Sequence, residues 1–515
     1  MHFLICFIVL CLSVCRADDL QPRHVAVVYN EKSDFSRECA KRYAELRGIP
    51  AAQVVGLSCA VREEVSRKEF EAEVLVPLAR TAAQRSWWLP TLIGQTGNGS
   101  GAEIYALVLM PDLPLKVREE PRSKGQPWQQ TTAAAVDSEL ALLGVRDVPR
   151  AGMLKNPYYG QDESFVMSGY PVMLVSRIDA PSKEACRRMI EDPVQVEKAG
   201  GLWGWMAVDA GGPYGEGDKW MQSIAATASG KGVPVMLDSA RETLPARYPL
   251  PVPLASYFGW YAGEVNGPFA DASFRFAKGA VAVHLHSFSA TTMKSAVRTW
   301  SGPLLERGAA VTLGNVYEPF LGGSHHLDVF YDRLLKGYSV AEAAAMAAPA
   351  FSWQCVVFGD PLYRPFAGMK KEGMKKDARF RLFQAWFVAV ASWGGEADVL
   401  AEQVEKAARQ PGNAGLWEML ASRALVRKDF SKAVRYLSEA LLSATGLGNR
   451  VRLQLLLADA YKGNGQEGEC VGELRRMLMV LGNTEYAEMI RKKASVFPAL
   501  KTLAEDPAVR SSRVK

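Results

Sequence analysis

The sequence predicts a three-layer α/β protein with a mostly parallel sheet, followed by an all-α module of helical repeats. From His24 onward, strand-like runs alternate with amphipathic helical runs, which is the pattern of parallel sheets with helical crossovers. Most of the strand-like runs are continuously apolar, so both faces of the sheet should be covered by helices. After Phe366 every run has helical periodicity, which predicts the second module.

The composition is typical of an ordinary folded protein of several domains. The chain has 515 residues, a length that exceeds what one hydrophobic core holds. Of these residues 48% are hydrophobic and 23% are charged, as in soluble globular proteins. Its 61 basic and 55 acidic residues are interspersed, so the net charge of +6 gives no reason to expect a nucleic-acid partner. Beyond Cys15 the cysteines are widely spaced and allow at most one bridge, between Cys39 and Cys59.

The N-terminus is typical of an export signal. An apolar run from Phe3 to Val14 is too short to span a membrane and ends in Arg16, with Ala17 as a small residue for cleavage. We therefore expect a signal peptide over residues 1–17 and a periplasmic or extracellular mature protein without a transmembrane segment. Lipidation at Cys15 is the less favoured alternative because Val14 is unusual before a lipidated cysteine, and an uncleaved anchor is a further one.

The α/β domain is expected over residues 22–367, with a division into two subdomains left open. Its strand candidates are 24–30, 104–110, 171–179, 202–210, 233–238, 254–263, 279–287 and 308–317. Helical stretches such as SKEACRRMIED and DKWMQSIAATA separate several of them.

A basic linker over 368–377 precedes a helical module over 378–505. One stretch of this module resembles a tetratricopeptide repeat at Trp417, Leu420, Ala421, Ala424, Ala433, Leu437 and Ala440. Such repeats commonly bind a protein or peptide. Packing of the helical module against the α/β domain is an alternative role that we expect equally.

Open α/β sheets bind ligands beyond the carboxyl ends of their strands. The polar residues at the predicted strand ends are Asp112, Arg177, Asp179, Asp209, Asp238, Glu264, Asn266, His286, Ser287, Ser289, Asn315 and Glu318. The binding candidates among them, taken with one aromatic residue, are Asp209, Trp260, Glu264, Asn266, Asn315 and Glu318. Asp209, Glu264 and Asn266 would rim an aromatic cleft for a sugar or an extended peptide, floored by Trp203, Trp205, Tyr257, Phe258, Trp260 and Tyr261. Acids at strand ends also often cap helices, and aromatics often fill the space between sheet and helices.

Four of the six histidines lie between residues 284 and 326, and their role is open between three hypotheses. His284, His286 and His325 would hold zinc, with Glu318 or Asp328 nearby. Alternatively, His286 would act as the base for Ser287 or Ser289, oriented by Glu264 or Asp209. Otherwise the histidines are buried and satisfied by hydrogen bonds. The chain has no HExxH and no GxSxG motif, and no cofactor is predicted.

Several long motifs carry a family resemblance over residues 22–367: VSRIDAPS, YFGWYAGEVNGPF, GAVAVHLHSFSATT, GAAVTLGNVYEPF and VVFGDPLYRPF. On these motifs the chain is identified as a member of an uncharacterised family of exported bacterial proteins. More distantly it resembles the gingipain-like cysteine peptidases, which implies a caspase-like fold.

The resemblance also indicates what has been lost. The peptidases have a histidine in a Gly-His-Gly context after one strand and a cysteine after the next. Here the corresponding stretches are Gly259–Gly263, with aromatics, and His286–Ser289, with serines. The resemblance therefore implies a degenerate peptidase acting as a binding or scaffold protein, and the alternative is a hydrolase of unfamiliar type using His286 with Ser287 or Ser289.

Overall fold

The computed structural model describes residues 19–85, 87, 104–121, 127, 130–145, 152–170, 172–369 and 376–505. The predicted signal peptide and most of the predicted linker lie outside these residues. None of the helices in the described ranges combines the length and the apolar character that crossing a membrane requires.

The described residues form fifteen strands, most of them in one long mixed sheet. In chain order these are β1 (Val25–Asn30), β2 (Val54–Leu57), β3 (Glu64–Val65), β4 (Ala106–Leu109), β5 (Lys116–Val117), β6 (Ala134–Ala135), β7 (Leu154–Lys155), β8 (Leu174–Arg177), β9 (Trp205–Asp209), β10 (Val235–Asp238), β11 (Leu254–Gly259), β12 (Val281–His284), β13 (Thr312–Asn315), β14 (Ala350–Phe351) and β15 (Cys355–Phe358).

The long sheet consists of two halves, each of parallel strands. The first half has the order β2-β1-β4-β8-β15 and the second half the order β10-β9-β11-β12-β13, with β12 and β13 joined by a parallel bridge between Val281 and Val311. The halves meet where β13 runs antiparallel to β15. The carboxyl ends of their strands therefore lie at opposite edges of the sheet. The other strands form a three-stranded sheet, β3-β5-β6, and a pair, β7-β14.

Eighteen α-helices accompany the strands in the described residues. Those of the α/β region are α1 (Asp34–Arg47), α2 (Arg67–Phe70), α3 (Val76–Gln84), α4 (Val136–Leu140), α5 (Phe165–Ser168), α6 (Lys183–Lys198), α7 (Gly215–Gly230), α8 (Ser301–Glu306), α9 (Leu327–Lys336) and α10 (Val340–Ala347). Local sequence sets several boundaries. Ser33 caps α1 by accepting from the Ser36 N–H, and Gly48 ends it at φ +69°, a conformation that glycine adopts without strain.

From residue 376 to 505 the described C-terminal region is rich in helices, as predicted. Its helices are α11 (Arg381–Trp393), α12 (Ala397–Ala408), α13 (Gly415–Val426), α14 (Phe430–Ser443), α15 (Leu447–Gly463), α16 (Glu467–Leu481), α17 (Ala487–Ala494) and α18 (Pro498–Glu505). All seven repeat-like positions named from the sequence are buried on α13 and α14. Stacking of helix pairs thus buries the apolar positions that a single pair would expose.

The helical region packs directly on the second half of the sheet. The Ser422 hydroxyl of α13 donates to the carbonyl of Val235 in β10 (2.7 Å) and accepts from its N–H (2.9 Å). Trp203 and Trp205 make edge-to-face contacts with Phe387 and Phe383 of α11. Because β10 is an edge strand, α13 covers backbone groups that would otherwise be open to another chain.

The structure confirms the mixed α/β class with a mostly parallel sheet, and it corrects some details. Strands are shorter than their apolar runs; the run 254–263, for example, is a strand only over Leu254–Gly259. The bridge between Cys39 and Cys59 is wrong, because both thiols are free and belong to separate core clusters.

Candidate functional site

The polar residues predicted to share one sheet edge are divided between two. Asp112 and Asp179 follow strands of the first half, whereas His286 and Glu318 follow strands of the second half. The opposite strand directions of the two halves cause this separation. All of the candidate catalytic and binding residues belong to the second half, so its carboxyl edge is the candidate site.

His286 and Ser287 lie at this edge after β12, and both are half-buried. The Ser287 hydroxyl donates to a Glu318 carboxylate oxygen over 2.7 Å. The Nδ1 atom of His286 contacts the carbonyl oxygen of Ser287 rather than its hydroxyl. The Tyr261 ring packs against the imidazole of His286 with centroids 4.3 Å apart. The structure thus brings together His286, Ser287 and Glu318, with the ring of Tyr261 against His286.

Ser289 and Asn315 are buried behind this group. The Ser289 hydroxyl accepts from the backbone N–H of Asn315 (3.0 Å), and the Asn315 side-chain amide donates to the carbonyl of His286 (3.1 Å). Ser289 is 1% exposed, so its hydroxyl is not presented to a substrate. These two residues fix the backbone on which His286 stands.

His284 and Asp209 belong to a buried network rather than to the surface. The Nδ1 atom of His284 lies 2.9 Å from the Tyr257 hydroxyl, and its Nε2 atom lies 3.1 Å from the N–H of Ala262. Burial holds the pKa of His284 well below its usual value. One oxygen of Asp209 accepts from Tyr257 (3.5 Å) and from the Leu244 N–H (3.3 Å), and burial followed by the charge of Asp238 raises its pKa to about 8.

Trp260, Glu264 and Asn266 do not present their side chains to the His286 group. Trp260 is 1% exposed, and its Nε1 donates to Asp218 (2.8 Å). A Cβ atom at Gly212 or Gly217 would approach its ring within 2.3 and 2.2 Å, so these glycines make room for it. Glu264 accepts from the Thr299 N–H (2.5 Å). Asn266 forms no hydrogen bond with His286, Ser287 or Glu318.

The surface around His286 is aromatic, and it includes residues that the sequence did not single out. The exposed fractions are 55% for Tyr214, 38% for Tyr261, 45% for Phe288 and 46% for Phe320. Tyr214 contacts Tyr261 edge-on at 6.1 Å, Phe288 follows Ser287, and the Phe320 N–H donates to Glu318 (3.0 Å). We call these four rings, with His286, Ser287 and Glu318, the aromatic edge.

Two of the rings stand on unusual backbone. Phe288 has φ +60° and Phe320 φ +58°. Bulky side chains rarely adopt this left-handed region, which concentrates at functional sites. The signal that sequence reasoning missed was the aromatic residue next to a polar strand end. Its exposure depends on packing and could not be predicted from the chain alone.

The predicted zinc set is not assembled. Both ring nitrogens of His284 are engaged by Tyr257 and Ala262, and His325 is buried. In the ranges that the structure describes, no three histidine, cysteine or acidic side chains are placed to hold one metal ion. The described structure thus does not bring His284, His286 and His325 together as one set of ligands.

Comparison with known proteins identifies no relative: no family model, no curated protein and no solved structure matches the chain.

Proposed function

We propose that this protein is a non-catalytic binding protein that holds an uncharged oligosaccharide on the aromatic edge. The observation that supports the proposal is the presence of four exposed rings near His286, Ser287 and Glu318, where Tyr214 contacts Tyr261 and Tyr261 contacts His286. Flat aromatic faces stack on the apolar faces of sugar rings, while the imidazole and carboxylate supply hydrogen-bonding groups for hydroxyls. The Glu318 carboxylate would repel an anionic ligand.

The sheet geometry favours a sugar over an extended peptide. A peptide that adds as a strand needs a free strand edge with unpaired backbone groups. In the second half, α13 covers the outer edge of β10, and β12 is followed by β13. The aromatic edge offers side chains instead of a strand edge, which suits stacking.

The hydrogen bonds around Ser287 argue against the serine-hydrolase alternative. A nucleophilic serine needs a base close to its hydroxyl and a group that orients this base. Ser287 directs its proton to Glu318, the Nδ1 atom of His286 lies against a carbonyl oxygen, and Asp209 contacts Tyr257. We expect no labelling of Ser287 by a fluorophosphonate probe on folded protein. Labelling that His286→Ala abolishes would support the hydrolase instead.

We propose further that the fold is gingipain-like and that the protein is exported. Aromatic residues and serines would then stand where such a peptidase has its histidine and cysteine, which agrees with binding rather than peptide hydrolysis. The helical region would be tetratricopeptide-like. Because α13 is used for packing against β10, a protein or peptide partner would bind to the remaining helical surface.

Binding of soluble oligosaccharides and polysaccharides to the purified protein, on an array and then by calorimetry, tests the proposal. Tyr261→Ala removes one stacking ring worth about 0.5–1.5 kcal/mol, so affinity should fall up to about tenfold. Trp393→Ala is the matched control, since Trp393 is a 36% exposed ring on α11 in the helical region. An array without binding, or equal affinities for wild type and Tyr261→Ala, would overturn the proposal.

A further inference from the structure

Two histidines stand two residues apart at the end of β12, but their surroundings differ completely. His286 is half-buried at the aromatic edge, whereas His284 is 1% exposed and hydrogen-bonded through both ring nitrogens. The imidazole of His284 contacts Ala262, the residue that follows Tyr261. His284 therefore lies directly behind the loop that presents Tyr261.

The hydrogen bonds fix which nitrogen of His284 carries the proton. A backbone N–H can only donate, so the Nε2 atom facing Ala262 must be an acceptor without a proton. The neutral ring then carries its proton on Nδ1 and donates it to the Tyr257 oxygen, 2.9 Å away. The Tyr257 proton is left to point toward Asp209, 3.5 Å away. The chain of donors runs from Ala262 to Asp209 in one direction.

A second ring, that of Trp300, also binds the backbone of Ala262, and we call the two contacts the grip on Ala262. The Trp300 indole stacks on the His284 imidazole, with centroids 3.5 Å apart and an interplanar angle of 8°. Its Nε1 donates to the carbonyl of Ala262 over 2.7 Å. The two stacked rings thus engage both backbone polar groups of Ala262. Because Tyr261 precedes Ala262, this grip restricts where the Tyr261 ring stands.

We propose that His284 is the positioning residue of the aromatic edge: it holds the Tyr261 loop, and so the ring facing His286, in the arrangement that binds ligand. This inference rests on the proposed function for its effect on affinity. Its effect on the loop stands on the contacts of Ala262 alone. His284 does not touch the ligand in this assignment.

The variants His284→Phe and His284→Gln separate positioning from general packing. Phenylalanine keeps a ring against Trp300 but removes the acceptor for the Ala262 N–H, and glutamine restores an acceptor and a donor. The matched control is His24→Phe, because His24 is another buried histidine and accepts from a backbone N–H, that of Gln21. If His284→Phe does not fold, Trp300→Phe takes its place, since it removes the donor to the Ala262 carbonyl and keeps a smaller ring beside His284.

The first measurement is amide hydrogen exchange of full-length protein. We expect exchange at residues 260–263 to rise about tenfold or more in His284→Phe, with the control unchanged and His284→Gln close to wild type. Nitrogen NMR of wild type should show His284 protonated at Nδ1. Unchanged exchange in His284→Phe, or a proton on Nε2, would overturn the assignment whether or not a ligand is known.

The second measurement is the affinity for the oligosaccharide that wild type binds best on the array. We expect about a tenfold loss for His284→Phe and recovery with glutamine. If wild type binds no oligosaccharide while exchange behaves as expected, the proposed function fails and the positioning role stands. If wild type binds and His284→Phe binds equally well, the positioning role fails and the proposed function stands.

Discussion

The two halves of the sheet have the same strand order but differently built carboxyl edges. In each half the first strand lies between the second and the third, followed by the fourth and fifth, so β1, β2, β4, β8 and β15 correspond to β9, β10, β11, β12 and β13. The last registered pairs of the third and fourth strands are Leu109 with Arg177 and Gly259 with His284. By this register Arg177 corresponds to His284, and Asp179 corresponds to His286.

At the carboxyl edge of the first half, charged side chains are paired with one another. Arg177 is fully buried and is bound to Asp137 and to the carbonyls of Leu113 and Pro114. Lys294 donates to Asp112 over 3.1 Å. The second half has a neutral imidazole at the position of Arg177 and exposed rings beyond it. The same topology thus supports an edge held together by ion pairs and an edge with exposed aromatic rings.

Removing the buried charge of the first half should have the largest effect. Arg177→Met leaves Asp137 buried without its partner, and breaking a buried pair on one side costs about 3–5 kcal/mol of unfolding free energy. Denaturant unfolding measures this loss. His284→Phe should cost clearly less because it leaves no unpaired charge. Equal losses would contradict the division into a charged and a neutral edge.

The second half should show its own pH dependence through Asp209. Its pKa is raised to about 8 when folded, so between pH 5 and pH 7 the folded state keeps a proton that the unfolded state has lost. Stability then falls as pH rises, by about 2–3 kcal/mol over those two units. Asp209→Asn should remove this part of the slope. The unfolding free energies of wild type and Asp209→Asn are measured at each pH. Parallel curves would contradict the assignment of this pH dependence to Asp209.

The smallest effect is expected at the surface of the first edge. Lys294 is half-exposed, and its pair with Asp112 should contribute no more than about 1 kcal/mol. Lys294→Ala also removes the cation that lowers the pKa of Asp179, which burial already raises to about 6. We expect a small loss in the unfolding free energy at pH 8 and an increased pKa of Asp179 by NMR. Lys336→Ala is the control, because that lysine pairs with Asp162 on another element.

The presence of the strands and helices could be predicted from the sequence, because the spacing of apolar residues and the turn residues act locally. It could not predict that the halves run in opposite directions, because the β13–β15 pair joins segments about forty residues apart in an order that no local pattern encodes. Asp360 shows the same limit. Its contact with the Leu362 N–H (2.9 Å) is local, yet it also accepts from the hydroxyl of Tyr43 in α1 (2.7 Å), which no local pattern indicates.

Within the site, the sequence located the strand ends but not the direction of the side chains there. His286, Ser287 and Glu318 are brought together as candidates, whereas Trp260 is buried and its neighbour Tyr261 is exposed. Because both are aromatic residues at a strand end, the sequence does not distinguish which of the two is buried. The inward ring, Trp260, occupies space that the absence of a side chain at Gly212 and Gly217 leaves open.

The covering of β10 by α13 has a consequence for synthesis. Val235 and the Ser422 that covers it are 187 residues apart, so the ribosome completes the strand long before its cover. At about 5–20 residues per second, the strand waits roughly 10–40 s with its outer backbone groups unpaired. During that interval the nascent chain carries an open strand edge, and a chaperone that shields it would protect the protein from pairing with its neighbours on the same message.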